Sequence, residues 1–312
     1  MRVYKNYRES NRVTLHNGDC IDLLRKLPDE SVDLVVTSPP YCMGKAYEDP
    51  KDDIDTFIKL HTDIFNELYR VVKISGNICW QVGYHISDKC VVPLDYVVYS
   101  IFTSMSAELN HPLVLRNRII WTFGHGLNSI NRFSGRHETI LWFSKGTPKQ
   151  FNLDEVRIPQ KYPGKRAYKG PHKGELSGHP LGKNPSDVWE ISSDVWDIPN
   201  VKAMHVEKTI HPCQFPVAIP RRLIKALTLK KDLILDPFMG SGTSGVAAII
   251  ENRRFAGAEI MTEYYDVAIE RMLATADGTA KIREDKPVFI PNKSAAVARL
   301  PEEFAKAREE KE

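Results

Sequence analysis

Two short stretches hold the residues best suited to chemistry. The first is Thr37-Ser38-Pro39-Pro40-Tyr41, which follows directly on the apolar residues 34–36. Adjacent prolines lack N–H donors and fix φ, so they stop a strand or helix abruptly. A surface turn fits such a break. So does the edge of an active site, because a serine, a tyrosine, Lys45 and the acids Asp33, Glu48 and Asp49 surround it.

The second stretch is Gly240-Ser241-Gly242-Thr243-Ser244-Gly245. It reads GxGxxG after an apolar run and before a helical pattern, and Glu259 stands at the end of the next apolar run. That is where a dinucleotide site places an acid for a ribose hydroxyl. No Gly-Lys-Ser/Thr follows, so the loop is not a P-loop. Asp236-Pro237-Phe238-Met239 precedes the first glycine. An acid at the mouth of the loop would repel a pyrophosphate. It would suit a cationic ligand such as S-adenosyl-L-methionine, which carries a sulfonium and a ribose. On the loop alone, a nicotinamide oxidoreductase and a glycine-rich helix start with no ligand also stay open.

The elements that must position these loops follow from periodicity. Residues 13–16 read as a strand, Asn17-Gly18-Asp19 as a turn, and Asp19 as the cap of a short helix ending near Pro28. A strand over 32–37 leads into the prolines. Apolar residues at Ile54, Phe57, Ile58, Ile64, Phe65, Leu68, Val71 and Val72 predict a helix over 54–73, ended by Gly76. A strand over 77–83, a helix opened by Pro93, and strands over 118–123 and 139–143 follow. From Thr147 to about Asn200 periodicity fails, in a Lys-, Gly- and Pro-rich stretch too long for an ordinary loop. Order returns with a helix over 216–228, strands over 231–236 and 254–260, and helices over 241–252 and 262–273. A charged tail carries a helical pattern over 301–311. Strands alternating with helices predict an α/β fold with a mostly parallel sheet, whose ligands bind at the carboxyl ends of the strands.

Composition narrows the partners. The 312 residues include 27% charged ones and no apolar run long enough to span a bilayer. The N-terminal residues have no apolar core of a signal peptide, and the five cysteines are scattered without metal-ligand spacing. A cytoplasmic protein with reduced thiols, no metal and no membrane association is expected. Net charge is +3, but between Arg116 and Ser186 there are 13 Lys+Arg against 4 Asp+Glu, a local excess of nine. A basic segment inside a balanced chain points to a polyanion surface.

DPFMGSGT and TSPPY together resemble the DNA amino-methyltransferases, which act on adenine N6 or cytosine N4. With TSPPY first, the basic region between and the glycine loop last, the order resembles the permuted, beta-type arrangement, over roughly residues 12–272. The resemblance implies a Rossmann-like S-adenosylmethionine-dependent methyltransferase fold, a mostly parallel sheet with helices on both faces, plus an irregular basic target-recognition region. It divides the chain into a catalytic half (1–146), the recognition region (147–205), a cofactor-binding half completing the same domain (206–275) and a C-terminal extension (276–312). It assigns the cofactor to Asp19, Cys20, His211, Pro212, Gln214, Asp236, Pro237, Phe238, Gly240, Ser241, Gly242, Thr243 and Glu259. Ser38, Pro39, Pro40 and Tyr41 become the catalytic loop. Arg132, Arg136, His137, Lys161, Lys165, Arg166, Lys169 and Lys173 are the expected contacts to double-stranded DNA.

An exocyclic amine is a poor nucleophile because its lone pair is delocalised into the ring. Ser38 and the Pro39 carbonyl would accept its two N–H bonds, the prolines would hold those acceptors still, and Tyr41 would stack on a base flipped out of the duplex. Pro212-Cys213 resembles the Pro-Cys pair of carbon-5 cytosine chemistry. It lies outside any strand-end loop, so Cys213 is expected to be an apolar filler. For the target base two cues conflict. Ser before Pro-Pro-Tyr commonly accompanies cytosine N4, whereas GKAYED (44–49) looks more like adenine-N6 members, and the expectation leans to adenine. A homodimer is expected, and nothing resembles a nuclease site, which is compatible with a solitary methyltransferase.

Overall fold

A computed structural model describes residues 1–42, 49, 53–87, 89–123, 128–147, 151–189, 198–202, 205–283, 301, 304 and 306. The chain opens with a short strand β1 (Val3–Tyr4) and then β2 (Val13–Asn17). Asp19 caps α1 (Cys20–Lys26), its side chain accepting from the Ile21 N–H at 2.8 Å. β3 (Val32–Thr37) follows and ends where the prolines begin. Asp53 caps α2 (Ile54–Val71), which buries Phe57, His61, Ile64, Phe65, Leu68 and Val71 on one face; of the predicted stripe, Ile54 is half-buried and Ile58 is exposed.

Gly76 does not end that helix. β4 (Val72–Val82) starts four residues earlier, and its register against β3 slips between Val32 and Leu34. The extra residues form a bulge with Ser75 at φ 66°, and a Cβ on Gly76 would lie 2.9 Å from the Lys73 carbonyl. Glycine is needed there for a close backbone approach inside a strand. An antiparallel hairpin, β5 (Tyr84–Ser87) with β6 (Cys90–Pro93), was not legible, because its strands are short and half-exposed. α3 (Leu94–Ser106), β7 (Leu113–Thr122) and β8 (His137–Lys145) lie where periodicity puts them. Among its described residues the aperiodic stretch holds only α4 (Leu153–Val156) and β9 (Val188–Trp189). Then come α5 (Ala218–Leu227), β10 (Leu233–Asp236), α6 (Thr243–Ile250), β11 (Arg254–Glu259) and α7 (Thr262–Ala276). Residues 187–191 (DVWEI) and 194–198 (DVWDI) form a near-duplicate pair in the sequence; the first is described as far as Trp189, while most of the second, of GKAYED (44–49) and of the tail pattern lies outside the described residues.

Among the described residues nine strands form one sheet, in the order β1-β2-β11-β10-β3-β4-β8-β7-β9. Pairing is parallel from β1 across to β4 and antiparallel through β8 and β7. Alternation along β3 sends Leu34 and Val36 into one core, with α5, α6 and α7. Val35 goes into the other, with α1, α2 and α3. Helices therefore cover both faces. At the centre β3 lies beside β10. The chain leaves β3 toward β4 on one side and leaves β10 toward β11 on the other. That reversal opens a crevice at the carboxyl ends of the two strands, the place where open α/β sheets bind ligands. Both chemistry-rich loops emerge there. No described helix is long and apolar enough to cross a membrane.

Candidate active-site cleft

The crevice widens into a cleft of about 1010 Å³. One wall is built from residues 18–21, the loop 237–241, Thr243, residues 258–261 and the turn 211–215. The other is built from Gln81, Tyr84, Trp121, Phe123, His137, Glu138 and residues 128–132, with Ser38, Pro39, Pro40 and Tyr41 between them.

The glycine loop is a backbone construction. Gly240 and Gly242 have φ of 48° and 76°, in the left-handed region. A Cβ on Gly242 would meet Ala268 Cβ and Met272 Cε at 2.8 Å, so α7 packs directly onto the loop. The Gly240 N–H donates to Glu259 Oε2 at 3.0 Å and the Met261 N–H to Oε1 at 2.9 Å. Burial raises the pKa of Glu259 against those two hydrogen bonds. Register pairs Glu259 with Asn17, so Glu259 and Asp19 stand at the ends of neighbouring strands. His211 packs edge-on against Tyr264 at 4.5 Å, and its Nε2 would lie 2.9 Å from a Cβ on Gly240. Burial, then Lys208 and Arg271, push its pKa down to about 4, so His211 is neutral at pH 7. Arg271 donates to the Ser241 carbonyl at 2.6 Å and to the Ser241 and Thr243 hydroxyls at 3.1 Å. Periodicity marks Arg271 only as one more polar residue of α7, so its clamp on the loop was missed.

Asp236 corrects an expectation. It does not stand at the mouth of the loop and does not line the cleft. It is fully buried, with Oδ1 accepting from the Thr37 hydroxyl at 2.6 Å and the Phe238 N–H at 3.1 Å. Burial pushes its carboxyl up to about 6. Asp236 thus ties the end of β10 to the end of β3, and among the described residues the acids that line the cleft are Asp19, Asp63, Glu138 and Glu259 instead. The charge argument survives on Asp19 and Glu259, which stand on the glycine-loop wall. Among the described residues that line the cleft, Arg132 and Lys202 are the only lysine or arginine side chains. Arg271 reaches that wall only from behind, engaged by Ser241 and Thr243, so the lining itself presents two carboxylates, which fits a ligand with a cationic centre and hydroxyls better than a pyrophosphate.

The other expected cofactor residues divide. Cys20, Pro212, Pro237, Phe238, Ser241 and Thr243 line the cleft, and burial pushes the Cys20 thiol up to about 12. Phe238 meets Trp80 edge-on at 6.1 Å. Gly242 faces α7 rather than the cleft. Gln214 lines the cleft, but its amide is engaged by Thr209 and by the Glu207 carbonyl. Cys213 is exposed on the cleft wall and is not the expected apolar filler, because it sits in a turn whose N–H donates to His211 Nδ1.

The Pro-Pro loop is held by side chains from elsewhere. Ser38 Oγ lies 3.1 Å from the Tyr41 hydroxyl, which approaches Glu138 Oε2 at 3.3 Å. Gln81 Nε2 donates to the same Glu138 oxygen at 2.7 Å. Gln81 and Glu138 come from positions near the paired ends of antiparallel β4 and β8. Glu138 directly follows Arg136 and His137, two of the expected DNA contacts, but was not itself among the expected site residues.

The DNA residues also divide. Arg132 and His137 line the cleft, while Arg136 bonds the Gly135 carbonyl and Asn128 Oδ1. Beside Arg132, Ile130 and Phe133 are fully exposed, two apolar side chains on a rim. Lys161, Lys165, Arg166, Lys169 and Lys173 are exposed and none lines the cleft. They belong to a small ordered hairpin in which Arg166 bridges Leu176 and the Ala167 N–H donates to the Glu175 carbonyl. Tyr168 stands 90% exposed near its tip. Among the described residues no group of three or more His, Cys, Asp or Glu could hold a metal ion.

The sequence matches a family model described as DNA methylase, of the N6/N4 type, over residues 32–270. It is 44% identical over 264 residues to the Type II methyltransferase M.BglII of Bacillus subtilis, covering 84% of this chain and 69% of that protein. The fold is similar to that of the cytosine-N4-specific PvuII DNA methyltransferase, with a TM-score of 0.63 at 20% identity, over 86% of this chain and 93% of that one. It is also similar to a DNA modification methylase of Thermus thermophilus, TTHA0409, complexed with S-adenosyl-L-methionine, with a TM-score of 0.58 at 24% identity, over 86% and 99%.

Proposed function

The chain belongs to the DNA methylase family of the N6/N4 type, and on that premise we propose how its cleft is used. S-adenosyl-L-methionine, when bound, supplies an electrophilic methyl group on a cationic sulfur. Asp19 and Glu259 would hold its hydroxyls and ring amine, Phe238 its apolar surface, and the Gly240 backbone would allow close approach. Neutral His211 adds no positive charge beside them. Asp236 and Thr37 act indirectly, by keeping the two loops at a constant separation.

Ser38 and the Pro39 carbonyl accept the N–H bonds of the target amine, and Tyr41 covers the base. Double-stranded DNA is the substrate, and a base must leave the stack to reach so recessed a loop. Ile130 and Phe133 stand where apolar side chains can enter the gap that the base leaves. The hairpin over 161–177 contacts phosphates through its lysines. The chain divides into a catalytic half (1–146), a recognition region (147–205), a cofactor-binding half (206–275) and a C-terminal extension (276–312), and the enzyme is a cytoplasmic homodimer paired through α3, where Tyr96 and Tyr99 are exposed.

For the target base we propose cytosine N4. The lean to adenine rested on GKAYED (44–49), of which only Asp49 lies within the described residues. Ser38, the residue whose type accompanies cytosine N4, stands on the cleft in contact with Tyr41, and this observation carries the reading. Incubation with duplex DNA and S-adenosyl-L-methionine, then nucleoside digestion and mass spectrometry, tests it. N4-methylcytosine is the expected product, and N6-methyladenine alone would reverse the choice of base.

A further inference from the structure

Ser38 is an ambiguous residue for its task. A hydroxyl donates as readily as it accepts. A serine that donated its proton to the target nitrogen would occupy the lone pair that has to attack. Something must fix its direction.

The direction is set from the opposite wall. Glu138, at the start of β8, is half-buried and lines the cleft. Its Oε2 accepts from Gln81 Nε2 at 2.7 Å and faces the Tyr41 hydroxyl at 3.3 Å. A carboxylate has no proton to give, so the Tyr41 proton turns toward it. The Gln81 carbonyl, 3.4 Å from the same hydroxyl, is also an acceptor only and pulls the proton the same way. The Tyr41 oxygen then presents its lone pairs to Ser38, 3.1 Å away. Ser38 donates to Tyr41, and its own remaining lone pairs are left for an incoming N–H. Burial raises the pKa of Glu138, and the bonds from Gln81 and Tyr41 offset only part of that rise.

We propose that Glu138 is a positioning residue which orients the Tyr41–Ser38 hydrogen-bond chain so that Ser38 accepts from, rather than donates to, the target amine. The inference rests on the reading that Ser38 receives that amine.

A double-mutant cycle on the full-length enzyme tests it. Glu138→Gln keeps shape and volume but can present an N–H to Tyr41, which reverses the chain. Its kcat should fall about 10- to 100-fold, with KM for DNA and the thermal stabilisation by S-adenosyl-L-methionine within about twofold of wild type. In a Tyr41→Phe background the same substitution should cost nothing further, because the link is already cut. A merely structural role predicts that the isosteric Gln keeps near wild-type kcat, or that the two losses multiply, and either result overturns the proposal. Should Glu138→Gln not fold, Tyr41→Phe alone carries the test. Loss of one hydroxyl with the ring retained must lower kcat by a comparable factor, and an unchanged kcat overturns the proposal. A wild-type enzyme that methylates DNA while Ser38→Ala is fully active would instead sink the reading of the cleft on which this rests.

Discussion

The glycine loop and the Pro-Pro loop leave adjacent strands of one sheet and face one cleft, yet they are held by different means. The glycine loop is closed by its own backbone. Two glycines turn it, the Gly242 N–H donates to the Met239 carbonyl at 2.7 Å, and α7 packs against it. The Pro-Pro loop is arranged from outside. The prolines stiffen it, but its polar atoms are arranged by Gln81 and Glu138, which lie 40 and 97 positions from Tyr41 in the chain. Buried contacts join the two: the Thr37 hydroxyl donates to Asp236, and the Ser244 hydroxyl of the glycine motif donates to the Val36 carbonyl at 3.1 Å. A loop that only has to offer backbone to a ligand can be built from backbone. A loop that must offer one acceptor in one direction needs side chains to set that direction.

Three measurements would break or sharpen this contrast. The largest effect is expected from Ser38→Ala. Loss of the acceptor should slow methyl transfer about 10²- to 10³-fold, while stability and cofactor affinity stay near wild type. If cofactor affinity fell in parallel, the two loops would not be separable in function. Gly242→Ala should do the opposite. A Cβ at φ 76°, 2.8 Å from Ala268 and Met272, should cost about 2–3 kcal/mol of folding stability, read from denaturant unfolding. A stability loss under about 0.5 kcal/mol would mean that α7 gives way and the loop is not locally fixed.

The smallest effect concerns the joint. Burial places the Asp236 carboxyl at about 6 in the fold, above the roughly 3.9 of an unfolded chain. The folded state therefore holds this proton more tightly. Relative to Asp236→Asn, the wild type should gain stability as pH falls from about 6 toward 4, by at most about 1.4 kcal/mol per unit, and lose that gain as pH rises again through 6. A stability difference independent of pH would show that Asp236 is not held in a desolvated joint. His61 must be kept out of the comparison by using the difference alone. Burial lowers its pKa to about 4, and it accepts from Trp80 Nε1 at 3.0 Å, so its contribution falls as pH drops below about 6.5 in both proteins.

Legibility follows the same divide. Asp19 as a helix cap, Gly240 and Gly242 as turn glycines and Glu259 as a strand end were legible because capping, turn geometry and strand ends leave local marks in sequence. So were the helices whose apolar residues recur at 3.6-residue spacing, such as α2. Asp236 was found but misplaced. Its position beside the glycine motif is visible in one dimension, whereas its burial depends on Thr37, 199 positions away. Glu138 and Arg271 left no mark, since a polar residue at the rim of a strand or helix looks the same whether it faces solvent or a loop. The hairpin over 161–177 was legible as basic and aperiodic, and its turns depend on glycines and single hydrogen bonds too sparse to form a pattern.

By itself the sequence determined the alternation of strands and helices, the two motifs at strand ends and the basic stretch between them, because each arises from neighbours in the chain. Only the tertiary structure decided that β10 lies beside β3, so that the two motifs share one cleft. It alone decided which carboxylates face that cleft, which one is buried beneath it, and which one reaches Tyr41 from the far wall. Those facts depend on strand order and on burial. A change in strand order would move the same residues apart without altering any local pattern.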